Sequence, residues 1–253
     1  MTSINVTTDF FACRQKDGFV VIEPLEGARK IITKVEAKEE MLSILDTIRN
    51  SSDIKGILIL YTEKYPGNAE YKQYLLESLE SNVQSDKEPY TTTFKSAVNQ
   101  FLKIIRNSSI PIISGINGDL GPIDFGLILA YDLRIATKKT YFHNSNLELG
   151  FPPSALLSFY LSRSLGPAKA TEILLTKSKL SSREALDLGL ISEIVSEQEL
   201  EDKCIERLRD LSTIPGHALI ETRRILQPSL DEISKYLDTS LEGFLRSIYK
   251  LQN

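Results

Sequence analysis

Two apolar runs of strand length constrain the fold more than any other feature of the chain. Residues 54–61 read IKGILILY, and residues 110–115 read IPIISG. Such runs are best explained by strands that are buried on both faces. Apolar residues at helical spacing precede each run, over residues 38–50 and 94–105. The alternation predicts an α/β protein.

Turn and loop signals divide the chain further. Asp17-Gly18 lies between two apolar runs and predicts the turn of a β-hairpin. Residues 62–93 are polar and rich in tyrosine, and residues 81–89 within them are predicted to be mobile. Long polar excursions inside a compact domain are usually functional covers or disordered insertions.

The C-terminal part of the chain shows only helical patterns, around residues 197–212, 217–227 and 229–250. The last of these carries an apolar stripe of Leu237, Leu241, Phe244, Leu245 and Ile248. This stripe suits packing onto a neighbouring subunit or onto the core of the same chain. We therefore divide the chain into a core of residues 1–195 and a C-terminal helical assembly region of residues 196–253.

Composition argues against several classes of partner. The 30 basic and 34 acidic side chains give a net charge of −4, with no polybasic block, so nucleic acid and anionic membranes are not expected partners. No apolar run approaches the length of a membrane span, and the start of the chain lacks a signal-peptide pattern. Cys13 and Cys204 show no metal-ligand spacing with the two histidines. We expect a cytoplasmic protein with structural thiols and no metal.

The stretch NGDLGPIDFG, residues 117–126, has the chemistry of a ligand-binding turn. It lies between an apolar strand and an apolar helix. The sequence predicts a turn at Asn117-Gly118, a flexible backbone at Gly121 and a helix that begins at Pro122. Such a segment presents unpaired backbone N–H groups to a ligand.

From residue 110 to residue 195 the chain resembles the crotonase (enoyl-CoA hydratase/isomerase) superfamily. The matching positions follow one another without a gap: Pro111, Asn117, Gly118, Asp132, Ala136, Phe142, Gly150, Pro153, Arg163, Gly166, Ala170, Glu172, Leu175, Thr176, Ser181, Glu184, Ala185, Gly189 and Leu190. The resemblance implies a spiral of strand–strand–helix repeats, followed by a helical region used for assembly as a trimer or hexamer. It also implies an acyl thioester of coenzyme A, or of a pantetheine-bearing carrier, as the ligand, with no further cofactor.

In the family, two backbone N–H groups, one from each of two turns, bind the thioester oxygen and stabilise an enolate. The resemblance matches Gly67 to the glycine of the first turn, which makes Asn68 the first donor and Ile123 the second. Lys64 and Lys72 lie near the first turn and are candidates for contacts with the phosphates of coenzyme A. Alternatively, both lysines belong to a solvated amphipathic helix and contact no ligand.

The two catalytic glutamates of the hydratase mechanism are missing. Gly126 stands at the first position and Asn146 at the second. Glycine transfers no proton, and an amide orients a water without accepting its proton. Asp124, His143 and Asn146 are the remaining catalytic candidates. Asp124 also suits a structural role in the first turn of a helix. His143 also suits a structural role in a half-buried strand.

Three functions follow from these residues. The first is an enzyme that stabilises an enolate by a non-hydratase mechanism, as an isomerase, decarboxylase or C–C lyase. The second is a binding or assembly protein that keeps the fold without chemistry. The third is ordinary enoyl-CoA hydration, which requires Glu148 or Asp124 to replace the missing acids; we interpret Glu148 as solvent-exposed.

Overall fold

The computed structural model describes residues 4–32, 34–81, 88–227 and 229–252. Its strands are β1 (Asn5–Thr7), β2 (Phe11–Lys16), β3 (Phe19–Pro24), β4 (Ile57–Tyr61), β5 (Ile112–Ile116), β6 (Asp119–Leu120), β7 (Leu133–Thr137), β8 (Tyr141–His143), β9 (Lys179–Ser181) and β10 (Glu193–Val195). Its α-helices are α1 (Val35–Arg49), α2 (Asn68–Ser81), α3 (Glu88–Asn107), α4 (Pro122–Ile128), α5 (Ala155–Leu165), α6 (Pro167–Thr176), α7 (Ser182–Asp187), α8 (Leu200–Leu211), α9 (Gly216–Leu226) and α10 (Leu230–Gln252). Two 3₁₀ helices cover Ala28–Ile32 and Leu147–Leu149.

Seven strands form the main sheet in the order β1-β2-β3-β4-β5-β7-β10. The first three strands are antiparallel, and the sheet is parallel from β3 to β10. A smaller sheet joins β6, β8 and β9. Because β4 and β5 lie in the centre of the parallel part, both of their faces are covered, which explains their continuous apolar sequences. The predicted α/β class is confirmed.

Several local predictions are also confirmed. Asp17 and Gly18 have φ angles of 53° and 79° and join β2 to β3, as a tight hairpin requires. The three C-terminal helical patterns correspond to α8, α9 and α10. Of the segment predicted to be mobile, residues 82–87 lie outside the described residues. Among the described helices, none is long and apolar enough to cross a bilayer.

Helix α8 covers one face of the main sheet. Its buried residues Leu200, Cys204 and Leu208 pack in one cluster with apolar residues of the central strands. A Cβ atom at Gly115 would lie 2.8 Å from Sγ of Cys204, so glycine allows the helix to approach β5 closely. Burial raises the pKa of Cys204 to about 12, which keeps the thiol protonated. The division of the chain after residue 195 stays a prediction.

A buried ion pair anchors the beginning of β5. Arg223 of α9 donates to both carboxylate oxygens of Asp132, from Nε at 2.8 Å and from Nη2 at 2.5 Å. The same carboxylate accepts the backbone N–H of Ile112 at 2.8 Å. Because the guanidinium and the carboxylate compensate each other, the chain can bury both charges. The ion pair therefore fixes the position of the start of β5, the strand that leads into the candidate site.

Candidate active site

Two turns meet at one edge of the main sheet. The first turn, residues 62–68, follows β4, and the second turn, residues 117–122, follows β5. The backbone N–H of Asn117 donates to the carbonyl of Tyr61 at 2.9 Å. Gly67 has a φ of 52°, and a Cβ atom there would lie 1.7 Å from the carbonyl oxygen of Asp119. Only glycine fits at this position, so the first turn rests directly on the second.

Both predicted donors lie at the beginnings of helices that touch. Asn68 is the first residue of α2, and Ile123 is the second residue of α4. The first N–H groups of a helix have no acceptor within it, and the helix dipole favours a negative group there. A Cβ atom at Gly121 would lie 3.6 Å from Cα of Asn68 and 3.0 Å from Cβ of Tyr71. The geometry brings the two donor residues together; their role with a thioester stays a prediction.

Asp124 is bound by a buried arginine that the sequence did not indicate. Nη2 of Arg29 donates to Oδ2 of Asp124 at 3.0 Å, and the hydroxyl of Tyr65 donates to the same oxygen at 2.8 Å. Arg29 is only 4% exposed, so its charge needs this partner. Burial raises the pKa of Tyr65 well above its ordinary value, which keeps the hydroxyl a donor. Asp124 is therefore engaged in an ion pair and is not available as a free acid or base.

Arg29 also reaches the first turn. Its Nη2 atom lies 3.5 Å from the carbonyl oxygen of Gly67, at the long limit of a hydrogen bond. Its guanidinium carbon lies 5.2 Å from the ring centroid of Tyr71, within cation–π range. One guanidinium thus contacts the turn at residues 62–68, helix α2 and the start of helix α4.

Glu70 is a second carboxylate beside this arginine. Burial raises its pKa, although the charge of Arg29 acts in the opposite direction. The backbone N–H groups of Arg29 and Gly27 hydrogen-bond to it. Glu70 thereby ties the start of α2 to the 3₁₀ segment that carries the arginine.

The space that a first glutamate would need is filled by α5. A Cβ atom at Gly126 would lie 2.5 Å from the backbone nitrogen of Leu157 and 2.6 Å from Cβ of Leu156. Real side chains do not make contacts this short with backbone atoms. The chain has no room for a side chain at this position.

At the second glutamate position, Asn146 is buried with both ends of its amide in use. Its Oδ1 accepts the hydroxyl of Tyr71 at 2.9 Å, and its Nδ2 donates to the carbonyl of Pro152 at 2.8 Å. Burial raises the pKa of Tyr71 above its ordinary value, so this hydroxyl stays protonated. The result is a neutral tyrosine–asparagine pair at the position that the resemblance matches to a catalytic glutamate.

His143 lies apart from this pair, on β8. Its Nε2 atom is 3.1 Å from Oδ2 of Asp119. Burial lowers the pKa of His143, although the nearby carboxylate opposes the shift. The histidine contributes to the lining of neither cavity described below. Its position fits a structural role better than a catalytic one.

The two lysines near the first turn are paired on the surface. Nζ of Lys64 lies 3.3 Å from Glu23, and Nζ of Lys72 lies 3.0 Å from Glu148. Glu148 is largely solvent-exposed, in agreement with its predicted position. The exposed Lys72–Glu148 pair contributes little to stability, whereas the Glu23 side chain is only 13% exposed. Contacts of the lysines with coenzyme A stay predictions.

Two cavities flank Ile123. The larger measures about 130 Å³ and lies between the main sheet and helices α1, α3 and α4. The smaller measures about 60 Å³ and lies between α2, α4 and α10. Tyr71 and Asn146 line the smaller one, and Leu241 and Phe244 of α10 cover it. No charged side chain is found among the described residues that line the smaller cavity.

Comparison with known proteins places this geometry in a family context. The sequence model of the family described as enoyl-CoA hydratase/isomerase matches residues 33–233. The chain is 29% identical over 155 residues to the probable enoyl-CoA hydratase EchA12 of Mycobacterium tuberculosis H37Rv, covering 61% of this chain and 54% of that protein. It is 24% identical over 225 residues to the peroxisomal enoyl-CoA delta isomerase 3 of Mus musculus, covering 85% and 68%.

It is also 28% identical over 139 residues to 4-chlorobenzoyl coenzyme A dehalogenase-1 of Arthrobacter, covering 54% of this chain and 50% of that protein. The chain thus spans about half the length of the first curated relatives that it matches. Among solved structures, enoyl-CoA hydratase from Bacillus halodurans superposes with a TM-score of 0.78 at 22% identity, covering 94% of this chain and 95% of that one. This superposition confirms the predicted crotonase-like fold.

Replacing Gly126 by alanine tests the packing at the first glutamate position. We expect Gly126→Ala to destabilise the protein by about 1–3 kcal/mol, because overpacking forces α4 away from α5. Gly243→Ala is the matched control, since a Cβ atom on that face of α10 meets Pro152 at an ordinary 3.5 Å. The control should stabilise the helix by about 0.5–1 kcal/mol. Denaturant unfolding measures both, and an unaffected Gly126→Ala variant would show that α5 does not fill this space.

Proposed function

Because the chain belongs to the enoyl-CoA hydratase/isomerase family, we propose that it is an enzyme acting on an acyl thioester of coenzyme A or of a pantetheine-bearing carrier. The backbone N–H groups of Asn68 and Ile123 bind the thioester oxygen. They stabilise the negative charge that develops there as the acyl group becomes an enolate. The chemistry is of a non-hydratase type.

The contacts of Arg29 with the first turn and with the start of α4 are the observation that carries this proposal. The carbonyl of Gly67 and the N–H of Asn68 belong to one peptide unit. A cation near that carbonyl oxygen orients the unit and polarises the N–H on its other side. The same guanidinium holds Asp124, the residue that follows Ile123. One charged group therefore positions both donors.

The neutral lining of the smaller cavity favours a reaction that needs no general base. Isomerisation and hydration begin with a base acting on a carbon-bound proton or on water, and lyase cleavage of a C–C bond beside a hydroxyl begins with a base that removes the hydroxyl proton. Asp124 could act as a base only if its ion pair with Arg29 were broken. Decarboxylation of a 2-carboxyacyl thioester differs, because breaking the C–C bond leaves its electron pair in the enolate and releases CO₂. The α-carbon then takes a proton from water. We therefore place decarboxylation first among the non-hydratase reactions.

A second candidate is a binding or assembly protein without catalysis. It is favoured by the amide of Asn146, which is fully engaged, and by the small volume that α10 leaves beside it. Assembly as a homotrimer or hexamer and a cytoplasmic location belong to either proposal. The exposed aromatic residues Tyr236 and Tyr249 of α10 are compatible with a subunit contact.

Incubation with malonyl-CoA, methylmalonyl-CoA and crotonyl-CoA separates the candidates. We expect release of CO₂ from a 2-carboxyacyl thioester, with one deuterium on the product α-carbon in D₂O, and no hydration of crotonyl-CoA. A ligand at about 100 times its Kd should stabilise the protein by about 2.7 kcal/mol in thermal unfolding. Binding without turnover would support the second candidate. If coenzyme A and its thioesters all failed to bind, the proposed enzyme and ordinary enoyl-CoA hydration would both be wrong, and an assembly role without a thioester ligand would stand.

Ile123→Pro removes the second donor and leaves the surrounding charges in place. We expect turnover to fall by about 10²–10³-fold, the usual effect of losing one oxyanion donor. Ile123→Val is the matched control, because it keeps the N–H group and should retain activity within about threefold. Circular dichroism verifies that both variants fold. An unchanged rate for the proline variant would show that Ile123 is not a donor.

A further inference from the structure

The larger cavity is lined mainly by hydrocarbon side chains, which the chemistry of the thioester group does not require. Most of its lining is aliphatic or aromatic, with isoleucines from β3, β4, β5, α3 and α4 and with Met41, Leu45, Phe101 and Leu127. Its polar members bind one another. Arg29, Tyr65 and Asp124 form the cluster described above, and Tyr61 hydrogen-bonds to Tyr131. A ligand there meets a mostly apolar wall whose charged groups are paired with each other.

This cavity adjoins the proposed thioester site through one residue. Ile123 lines both the larger and the smaller cavity. Its backbone N–H is the proposed second donor, so a thioester carbonyl bound there lies one residue away from the larger cavity. Asp124, the next residue, also lines the larger cavity. Ile123 thus borders both the carbonyl site and a ready-made apolar space.

We propose that the larger cavity receives the hydrocarbon part of the acyl group, with Ile123 and Leu127 as specificity-determining residues. This inference rests on the proposed function. The volume of about 130 Å³ is close to that of a cavity of about 150 Å³ that accommodates benzene. The substrates are therefore thioesters whose acyl group has about six carbons or a single aromatic ring.

A series of saturated thioesters tests the inference without turnover. Calorimetric titration with acetyl-, butyryl-, hexanoyl-, octanoyl- and dodecanoyl-CoA should show affinity rising about fourfold for each added methylene up to hexanoyl. Beyond octanoyl the affinity should stop rising or fall. An affinity that does not depend on chain length, or that rises without limit to dodecanoyl, would overturn the inference.

Variants that fill the cavity identify which space the acyl group occupies. Leu127→Phe on α4 and Leu45→Phe on α1 each add side-chain volume to the larger cavity, from different walls. Each should lower the ratio of hexanoyl-CoA to acetyl-CoA affinity by about tenfold or more. Leu129→Phe, at the end of the same helix but outside the lining, is the matched control and should leave the ratio unchanged. Thermal unfolding verifies that each variant folds.

The outcomes are distinct. A ratio that neither filling variant changes would overturn the inference. So would a ratio that changes only in Leu241→Phe, since Leu241 lines the smaller cavity. Failure of the wild-type protein to bind any thioester, acetyl-CoA included, would instead show that the proposed function itself is wrong.

Discussion

The ion pair between Arg29 and Asp124 is the interaction on which the candidate site depends. Burying a guanidinium and a carboxylate costs several kcal/mol for each ion, and removing one partner of such a pair typically costs about 3–5 kcal/mol. Replacing both by apolar residues would often be neutral for stability. We attribute the pair to geometry: Arg29 holds Asp124 at the start of α4 and lies 3.5 Å from the carbonyl oxygen of Gly67, so one group links the first turn to the start of α4.

The same arrangement accounts for the chemistry that the site lacks. Asp124 replaces a glycine of the family pattern, but its charge is cancelled by Arg29. At the two glutamate positions, α5 occupies the space beside Gly126, and Asn146 pairs with Tyr71. What remains is a preorganised backbone site with apolar surroundings. On the proposed function, such a site stabilises an enolate that forms by loss of CO₂, and it offers no ready base to create one by proton abstraction.

The elements of the fold could be predicted because their signals are local. The continuous apolar sequences of β4 and β5 and the helical periodicity of α10 follow from nearby residues. The resemblance placed Asn68 and Ile123 at the two turns. It could not reveal Arg29, which lies 95 residues from Asp124 and belongs to a 3₁₀ segment without a motif. The filling of the space at Gly126 by α5 also depends on packing between distant segments, which periodicity does not encode.

The central claim is that the two turns jointly polarise one thioester carbonyl, with Arg29 holding them in place. Infrared difference spectroscopy of a bound acyl-CoA with an isotope-labelled carbonyl measures this polarisation directly. The account predicts that the carbonyl stretch moves to lower frequency on binding to the wild-type protein. The shift should be largely lost in folded Arg29→Met that is saturated with the same ligand. A bound thioester whose carbonyl frequency matches that in water, or a shift that Arg29→Met leaves intact, would contradict the account.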